Sequence, residues 1–239
     1  MKTVIITGAS TGIGRATTLE FAKNKNTVLL VARSEQKLNK VKDEIKKIGG
    51  IAEVFVADLS NPESIKELVS KIRRKYSEIN ILCNIAGIWH GENEVYAGKN
   101  YKEFEENIII NTLNVGTLAP MLLSHGFLSL MPGGSSVINL SGTFENGGKG
   151  WVPYYVSKRA IEDLTVGLSQ ELKDENIKVN CISPSDTATE GYKKFFPDDA
   201  DGAQTPEQIA KFFVELADRD VTGQIYTIKN GQTSEGFHK

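Results

Sequence analysis

The chain reads as an α/β protein built on a doubly wound parallel sheet of about seven strands, with helices on both faces. Three observations predict this. Short β-branched runs alternate with longer amphipathic stretches along the whole sequence. The strand-like runs are nearly all apolar rather than alternating, as a parallel sheet covered on both faces requires. A glycine-rich turn joins the first strand-like run to the first helical one. Repeated β-α order then implies right-handed crossovers. The 239 residues hold no linker rich in Pro, Ser or charge, so one domain over residues 1–239 is expected.

In order, Thr3 to Thr7 predicts a strand and Gly12 to Lys25 the helix after it. Thr27 to Ala32 is the second strand. Leu38, Val41, Ile45 and Ile48 then recur at helical spacing until Gly49-Gly50 stops the helix. Ala52 to Ala57 is the third strand. Asn61-Pro62-Glu63 has the form of a cap with proline in the first turn, leading a stripe of Ile65, Leu68, Val69 and Ile72. Asn80 to Cys83 starts a fourth strand. A polar, aromatic stretch from Trp89 to Lys102 precedes one long helix reaching about Met131. Ser135 to Leu140 is the fifth strand, Tyr154 to Asp174 a helix and Lys178 to Ile182 the sixth strand. Pro206 to Leu216 is a helix and Gln224 to Ile228 the seventh strand.

Composition narrows the function classes. Acidic and basic residues nearly balance, at a formal net charge of -2, which argues against a nucleic-acid or membrane-surface partner. The first strand begins almost at Met1 and no apolar run is read as approaching membrane-spanning length, so a cytoplasmic protein is the expectation. Cys83 and Cys181 fall in apolar strands and read as buried, reduced packing thiols.

Two constellations carry chemistry. In Thr7-Gly8-Ala9-Ser10-Thr11-Gly12-Ile13-Gly14, glycines permit a tight turn, and free amides at the helix start attract a diphosphate. Tyr154 and Lys158 are four residues apart and share one helix face, with Ser141 thirteen residues before Tyr154. An ammonium near a phenol favours the phenolate, so the phenol can exchange a proton near neutral pH. A proton donor beside a dinucleotide site is equipment for reducing a carbonyl. Tyr155 competes with Tyr154, but only Tyr154 has a lysine four residues on.

Together these motifs resemble those of the short-chain dehydrogenase/reductase family. T-G-x-x-x-G-x-G at Thr7 to Gly14 is similar to its cofactor turn, and Asn84-Ile85-Ala86-Gly87 to its N-N-A-G segment. Ser141, Tyr154 and Lys158 match its S and Y-x-x-x-K positions, and Thr222-Gly223-Gln224 its closing T-G-Q. The resemblance covers the whole chain and implies a Rossmann fold with NADP(H) as cofactor. It implies cofactor contacts at Gly8, Ser10, Thr11, Gly12, Ile13, Gly14, Asp58, Leu59, Asn84, Ala86, Gly87, Tyr154, Lys158, Pro184 and Thr187. Where an acidic residue would bind the adenosine ribose hydroxyls, this chain has Ala32 and then Arg33, whose guanidinium suits a 2′-phosphate. The basic residue that some NADP-preferring relatives carry in the glycine turn is Thr11 here. Asn84 is implied to steady the sheet. A relay asparagine is implied on the long helix; Asn114 is chosen over Asn111 by its interval to Ser141.

The resemblance further implies that Tyr154 is the general acid/base, that Lys158 holds the nicotinamide ribose, and that Ser141 donates to the substrate oxygen. After the sixth strand the usual Pro-Gly is Pro184-Ser185, a change expected to strain the turn if a positive φ is needed there. Thr189 to Thr205 is a short lid region, and Trp89, Phe144, Trp151 and Tyr192, with His90, are candidate pocket walls. Their aromatic lean points to an apolar or cyclic ketone or aldehyde. The leading expectation is an NADPH-dependent carbonyl reductase or alcohol dehydrogenase, with a 3-oxoacyl-thioester reductase as one form. A non-catalytic NADP(H)-binding sensor and a lyase or epimerase on the same fold are the alternatives. No metal is expected, because His90 has no second ligand at metal spacing. Most relatives pair their long helices, which implies a homodimer or homotetramer.

Overall fold

A computed structural model describes residues 1–144 and 146–235. Strands β1 (Thr3–Thr7), β2 (Thr27–Ala32), β3 (Ile51–Val56), β4 (Ile81–Asn84), β5 (Ser136–Leu140), β6 (Lys178–Pro184), β7 (Ile225–Lys229) and β8 (Gln232–Glu235) form one sheet. Its order is β3-β2-β1-β4-β5-β6-β7-β8. All neighbours are parallel except β7 and β8. The helices are α1 (Gly12–Lys23), α2 (Glu35–Lys47), α3 (Pro62–Lys75), α4 (Glu106–Leu113), α5 (Ala119–Phe127), α6 (Val152–Glu171), α7 (Glu190–Phe195) and α8 (Pro206–Asp218).

The apolar strands are explained by two cores. Val4, Ile6, Val28 and Leu30 face a layer holding Phe21, Leu38, Ile45 and Phe213. The alternate residues Ile5, Leu29 and Val31 face the other layer, with Ile65, Leu68, Leu123 and Phe127. Successive strand side chains point to opposite faces, so both sets must be apolar. Each such fully buried side chain contributes roughly 1.5–3 kcal/mol. Caps fix the helix starts: the Glu63 N–H donates to Asn61 Oδ1 at 2.9 Å, and Thr205 and Gln208 form a capping box on α8.

Four differences from the sequence expectation matter. The seven strands are eight: Asn230 and Gly231 both have positive φ, making the tight turn that folds β8 back on β7. The predicted single helix to Met131 is broken. A π-helical turn over Asn114–Leu118 separates α4 from α5. Helix α6 starts at Val152, because Pro153 fits a first helical turn. Finally, Glu106–Leu130 is helical, long and apolar enough to cross a membrane by length and composition, contrary to the reading of the sequence. In this fold α4 packs on α6 and α5 on α3.

Candidate active site

The order of the strands reverses between β1 and β4, and such a switch point opens a crevice at the carboxyl ends of the strands. The glycine turn lies on it. Gly8 and Gly12 have φ of 68° and 53°. A Cβ at Gly8 would sit 3.2 Å from Ala86 Cα, and one at Gly14 would run into the Gly8 carbonyl. Helix α1 therefore meets the turn as closely as backbone allows. Thr11 offers α1 no side-chain cap, so the amides of its first turn are left for an anion. Thr7 ties the turn to β4: its Oγ1 accepts from the Ile85 and Ala86 amides at 2.8 and 3.1 Å and donates to the Cys83 carbonyl at 3.3 Å.

The flanking candidates fall around the same crevice. Arg33 is exposed after β2, with no ion-pair partner among the described residues. Asp58 is exposed before α3. Its Oδ1 accepts from the Ser60 amide and hydroxyl at 2.9 and 2.8 Å, and Asn61 rather than Asp58 caps α3. Leu59 is buried beside it. Asn84 is buried and donates to Asn139 Oδ1 at 2.9 Å; Asn139 in turn donates to Thr165 Oγ1 at 2.9 Å, binding β4, β5 and α6 together. Pro184 closes β6, and the Thr187 hydroxyl donates to the Ser185 carbonyl at 2.9 Å. The expected strain at Ser185 does not arise. Its φ is not positive, and its amide donates to the Ile228 carbonyl at 2.9 Å, which continues the pairing with β7.

Thr189 was missed in the sequence. Its Cγ2 lies 3.1 Å from where a Gly12 Cβ would be, so it stands against the glycine turn. Its hydroxyl caps α7 by accepting from the Tyr192 amide at 3.1 Å. A threonine opening a short helical run was the available signal.

Tyr154 and Lys158 come together as expected. Lys158 Nζ lies 5.3 Å from the Tyr154 ring centroid, and a Cβ at Gly87 would be 3.4 Å from Nζ and 3.7 Å from Tyr154 Cε2. Lys158 is fully buried, and Nζ donates to the Leu140 carbonyl at 2.7 Å. Burial lowers this ammonium to about 8, while Cys181 and Glu162 pull the other way. The half-buried Tyr154 is pushed above its ordinary value by burial, not below it. In the free protein the phenol therefore keeps its proton at neutral pH, which differs from the sequence expectation of a phenol lowered by Lys158.

The Ser141 hydroxyl is engaged away from the Tyr154 phenol's own atoms, on Glu162 and the Lys158 backbone. Ser141 is 2 % exposed, and its Oγ lies 2.7 Å from Glu162 Oε1 and 3.1 Å from the Lys158 carbonyl. A hydroxyl has one proton to donate, and here both acceptors for it are in α6. Asn114 opens the π-helical turn and donates to the Ser60 carbonyl at 2.9 Å, anchoring the Asp58 loop; Asn111 is exposed.

Aromatic side chains roof this region. Trp89 packs on Trp151, Phe195 and Phe196 at ring centroid distances of 6.4, 6.1 and 6.4 Å, and Trp151 is 6.1 Å from Tyr154. Phe144 lies 5.7 Å from Tyr154. Tyr192 stacks on Phe196 at 5.2 Å, and burial, Asp186 and Asp199 push its phenol to about 12. A narrow cleft beside Tyr154 and Trp151 is walled by Ile88, Tyr96, Phe104, Thr112 and Pro153, none of them singled out from sequence. His90 Nδ1 lies 2.6 Å from the Gly91 carbonyl, to which it donates in the tautomer protonated at Nδ1, and the ring packs on Phe195. Among the described residues no His, Cys, Asp and Glu side chains group as a metal site. Cys83 and Cys181 are free and buried, and burial raises both thiols.

A nucleotide-type crevice with a Tyr–Lys pair at its edge defines a class of dinucleotide-dependent oxidoreductases. The chain belongs to the short chain dehydrogenase family, whose profile matches residues 2–200. It is 28% identical over 243 residues to the 3-oxoacyl-(acyl-carrier-protein) reductase FabG of Thermotoga maritima, covering 96% of this chain and 97% of that one. A protein from Beutenbergia cavernae assigned as an NAD(P) dependent gluconate 5-dehydrogenase, solved with NADP, superposes with a TM-score of 0.85 at 26% identity, covering 96% of each chain. The angucycline C-6 ketoreductase LanV with bound NADP gives 0.82 at 25% identity, covering 95% of this chain and 93% of that one.

Proposed function

We propose that this oxidoreductase is an NADPH-dependent carbonyl reductase, with Tyr154 giving a proton to the carbonyl oxygen in reduction and removing one from the alcohol in the reverse direction. The observation that carries this is the packing of Tyr154, Lys158 and Gly87 at the edge of the switch-point crevice. The crevice fits a dinucleotide. Gly8, Ser10, Thr11, Gly12, Ile13 and Gly14 supply a backbone cradle that a Cβ would fill, and α1 has uncapped amides to meet a diphosphate. The free guanidinium of Arg33 suits a 2′-phosphate. NADP bound in the solved neighbour from Beutenbergia cavernae and in LanV supports the same choice.

When bound, NADP(H) supplies the hydride. The chain's residues do the rest. Asp58 and Leu59 would receive the adenine, Ala86 and Gly87 would let the backbone pass the ribose, and Asn84 steadies the sheet beneath them through Asn139. Pro184, Thr187 and Thr189, which stands against the glycine turn, would hold the diphosphate and carboxamide. Lys158 orients the nicotinamide ribose, and its charge stabilises the phenolate that Tyr154 becomes once it has given its proton. The raised value of the free phenol keeps that proton available until substrate arrives. Asn114 anchors the Asp58 loop through the Ser60 carbonyl. Ser141 reaches a substrate oxygen only by turning off Glu162 and the Lys158 carbonyl.

Trp89, Phe144, Trp151 and Tyr192 favour an apolar or cyclic ketone or aldehyde. The likeness to FabG and LanV favours a ketone, and a 3-oxoacyl thioester is one member of that class. We infer one domain carrying both sites, working in the cytoplasm as a homodimer or homotetramer. The inward Ser141 is the one observation favouring a non-catalytic NADP(H)-binding sensor. Screening ketones, aldehydes and 3-oxoacyl thioesters for NADPH oxidation at 340 nm separates the two. Stoichiometric consumption supports the reductase; tight NADPH binding with no consumption supports the sensor.

A further inference from the structure

Tyr154 and Lys158 continue at the same spacing to Glu162, so α6 carries a phenol, an ammonium and a carboxylate on one face. A carboxylate this deep is unusual: Glu162 is 2 % exposed and Lys158 1 %. Glu162 is partnered on both oxygens. Oε1 accepts from Ser141 Oγ at 2.7 Å, and Oε2 pairs with Arg159 one helical turn back, itself 31% exposed. Ser141 bridges the pair, since its Oγ is also 3.1 Å from the Lys158 carbonyl.

We propose that Glu162 is a positioning residue for the reaction, acting through Lys158: its carboxylate is the counter-charge for the buried ammonium one helical turn back, and Ser141 Oγ, which must leave Glu162 to meet substrate, links that carboxylate to the Lys158 backbone in the free protein. This rests on the reductase reading above. The other charged and titratable groups around the pair, among the described residues, are Tyr154 and Arg159 on α6 and Cys181 on β6. Strand β5 offers the Leu140 carbonyl and the Ser141 hydroxyl, and the loop after β4 offers only backbone at Gly87. Cys181 is buried and its thiol is raised, so it stays neutral near pH 7. Glu162 is then the one negative charge within the cluster, and Arg159 tempers it from the solvent side. A buried ammonium with a carbonyl partner alone is poorly compensated. With Glu162 one turn away it remains an ammonium at the pH where the enzyme would work.

The test reads the charge on Lys158 through NADPH, whose affinity falls as that ammonium deprotonates. NADPH binding is followed by energy transfer from Trp89 and Trp151 across a pH series, with thermal melts to confirm folding. Glu162→Gln keeps the shape and removes the charge. The pH midpoint for loss of affinity is expected to fall by about one unit, the size of a typical close-charge effect. Arg159→Gln removes the opposing charge from a partly exposed position, and its midpoint is expected to rise. A purely structural role would move the melt but not the two midpoints in opposite directions. If both folded variants titrate with the wild-type midpoint, the proposal is overturned. Should Glu162→Gln not fold, Arg159→Gln decides it alone by rising or failing to rise. Wild-type protein that binds no NADPH would instead overturn the reductase reading.

Discussion

Lys158 sets the chemistry at the residue scale because it is both buried and charged. Its folded value of about 8 lies below the ordinary lysine value of 10.5, so in the free protein the ammonium costs stability below pH 8, and that cost fades as pH rises toward 10.5. Lys158→Met is therefore expected to raise the Tm at neutral pH and to lose this advantage between about pH 8 and 10.5. A Tm difference that is flat across that window in thermal melts would show that Lys158 is not under this strain. At Arg33, replacement by alanine is expected to lower kcat/KM with NADPH by about tenfold or more and leave NADH little changed, as loss of a charge-assisted phosphate contact would. Equal losses for the two cofactors in steady-state kinetics would contradict the assignment. The Tyr154–Lys158 pair was legible because helical spacing is rigid. The direction of Ser141 was not. A one-residue spacing along a strand end decides which face a side chain meets, and the partner that captures it, Glu162, lies twenty-one residues on.

Close backbone approach governs the elements. Gly14 has no room for a Cβ against the Gly8 carbonyl, so Gly14→Ala must push α1 off the turn. The expected result is a loss of about 1–3 kcal/mol, read as a fall in Tm of several degrees, together with weaker NADPH binding by titration. A variant with wild-type stability and affinity would mean that the turn is not the tight cradle described. Strands were read well because apolar runs with β-branched residues have few other uses, and their bounds differ from expectation by a residue or two at most of the ends. The break in the long helix was not readable. The apolar pattern runs on through Asn114–Leu118, and what marks the π-helical turn is tertiary: there the chain packs so tightly on α6 that a Cβ at Gly116 would come within 2.8 Å of Ser157. β8 escaped notice because Gln232–Glu235 is polar and exposed, and only the Asn230-Gly231 turn announces it.

The whole molecule places one crevice over the β1–β4 switch point and leaves apolar surface on the helices beside it. Ile110 on α4, Met121 on α5 and Val156 on α6 are about half exposed, at 55%, 46% and 46%. These helices are where an oligomer of this family is expected to form. Val156→Glu is expected to shift the mass seen by light scattering toward the monomer; an unchanged mass would place the interface elsewhere. Alternation of β and α runs made the doubly wound parallel sheet predictable, while the strand order that sets the switch point came from the structure. The aromatic roof was only half visible, since Tyr96 and Phe104 reach it from the stretch after β4, whose path no periodicity fixes, and Phe195 from the end of the short helix α7.

The most direct test of Tyr154 as proton donor follows deuterium from NADPH labelled at the nicotinamide C4 into the carbinol carbon of a ketone product. Wild-type protein is expected to place one deuterium per product molecule. Tyr154→Phe should bind NADPH as tightly while transferring at least about a thousandfold more slowly, the scale of lost general acid catalysis. Transfer by Tyr154→Phe within about tenfold of wild type would contradict the account, because that gap is too small for loss of the proton donor.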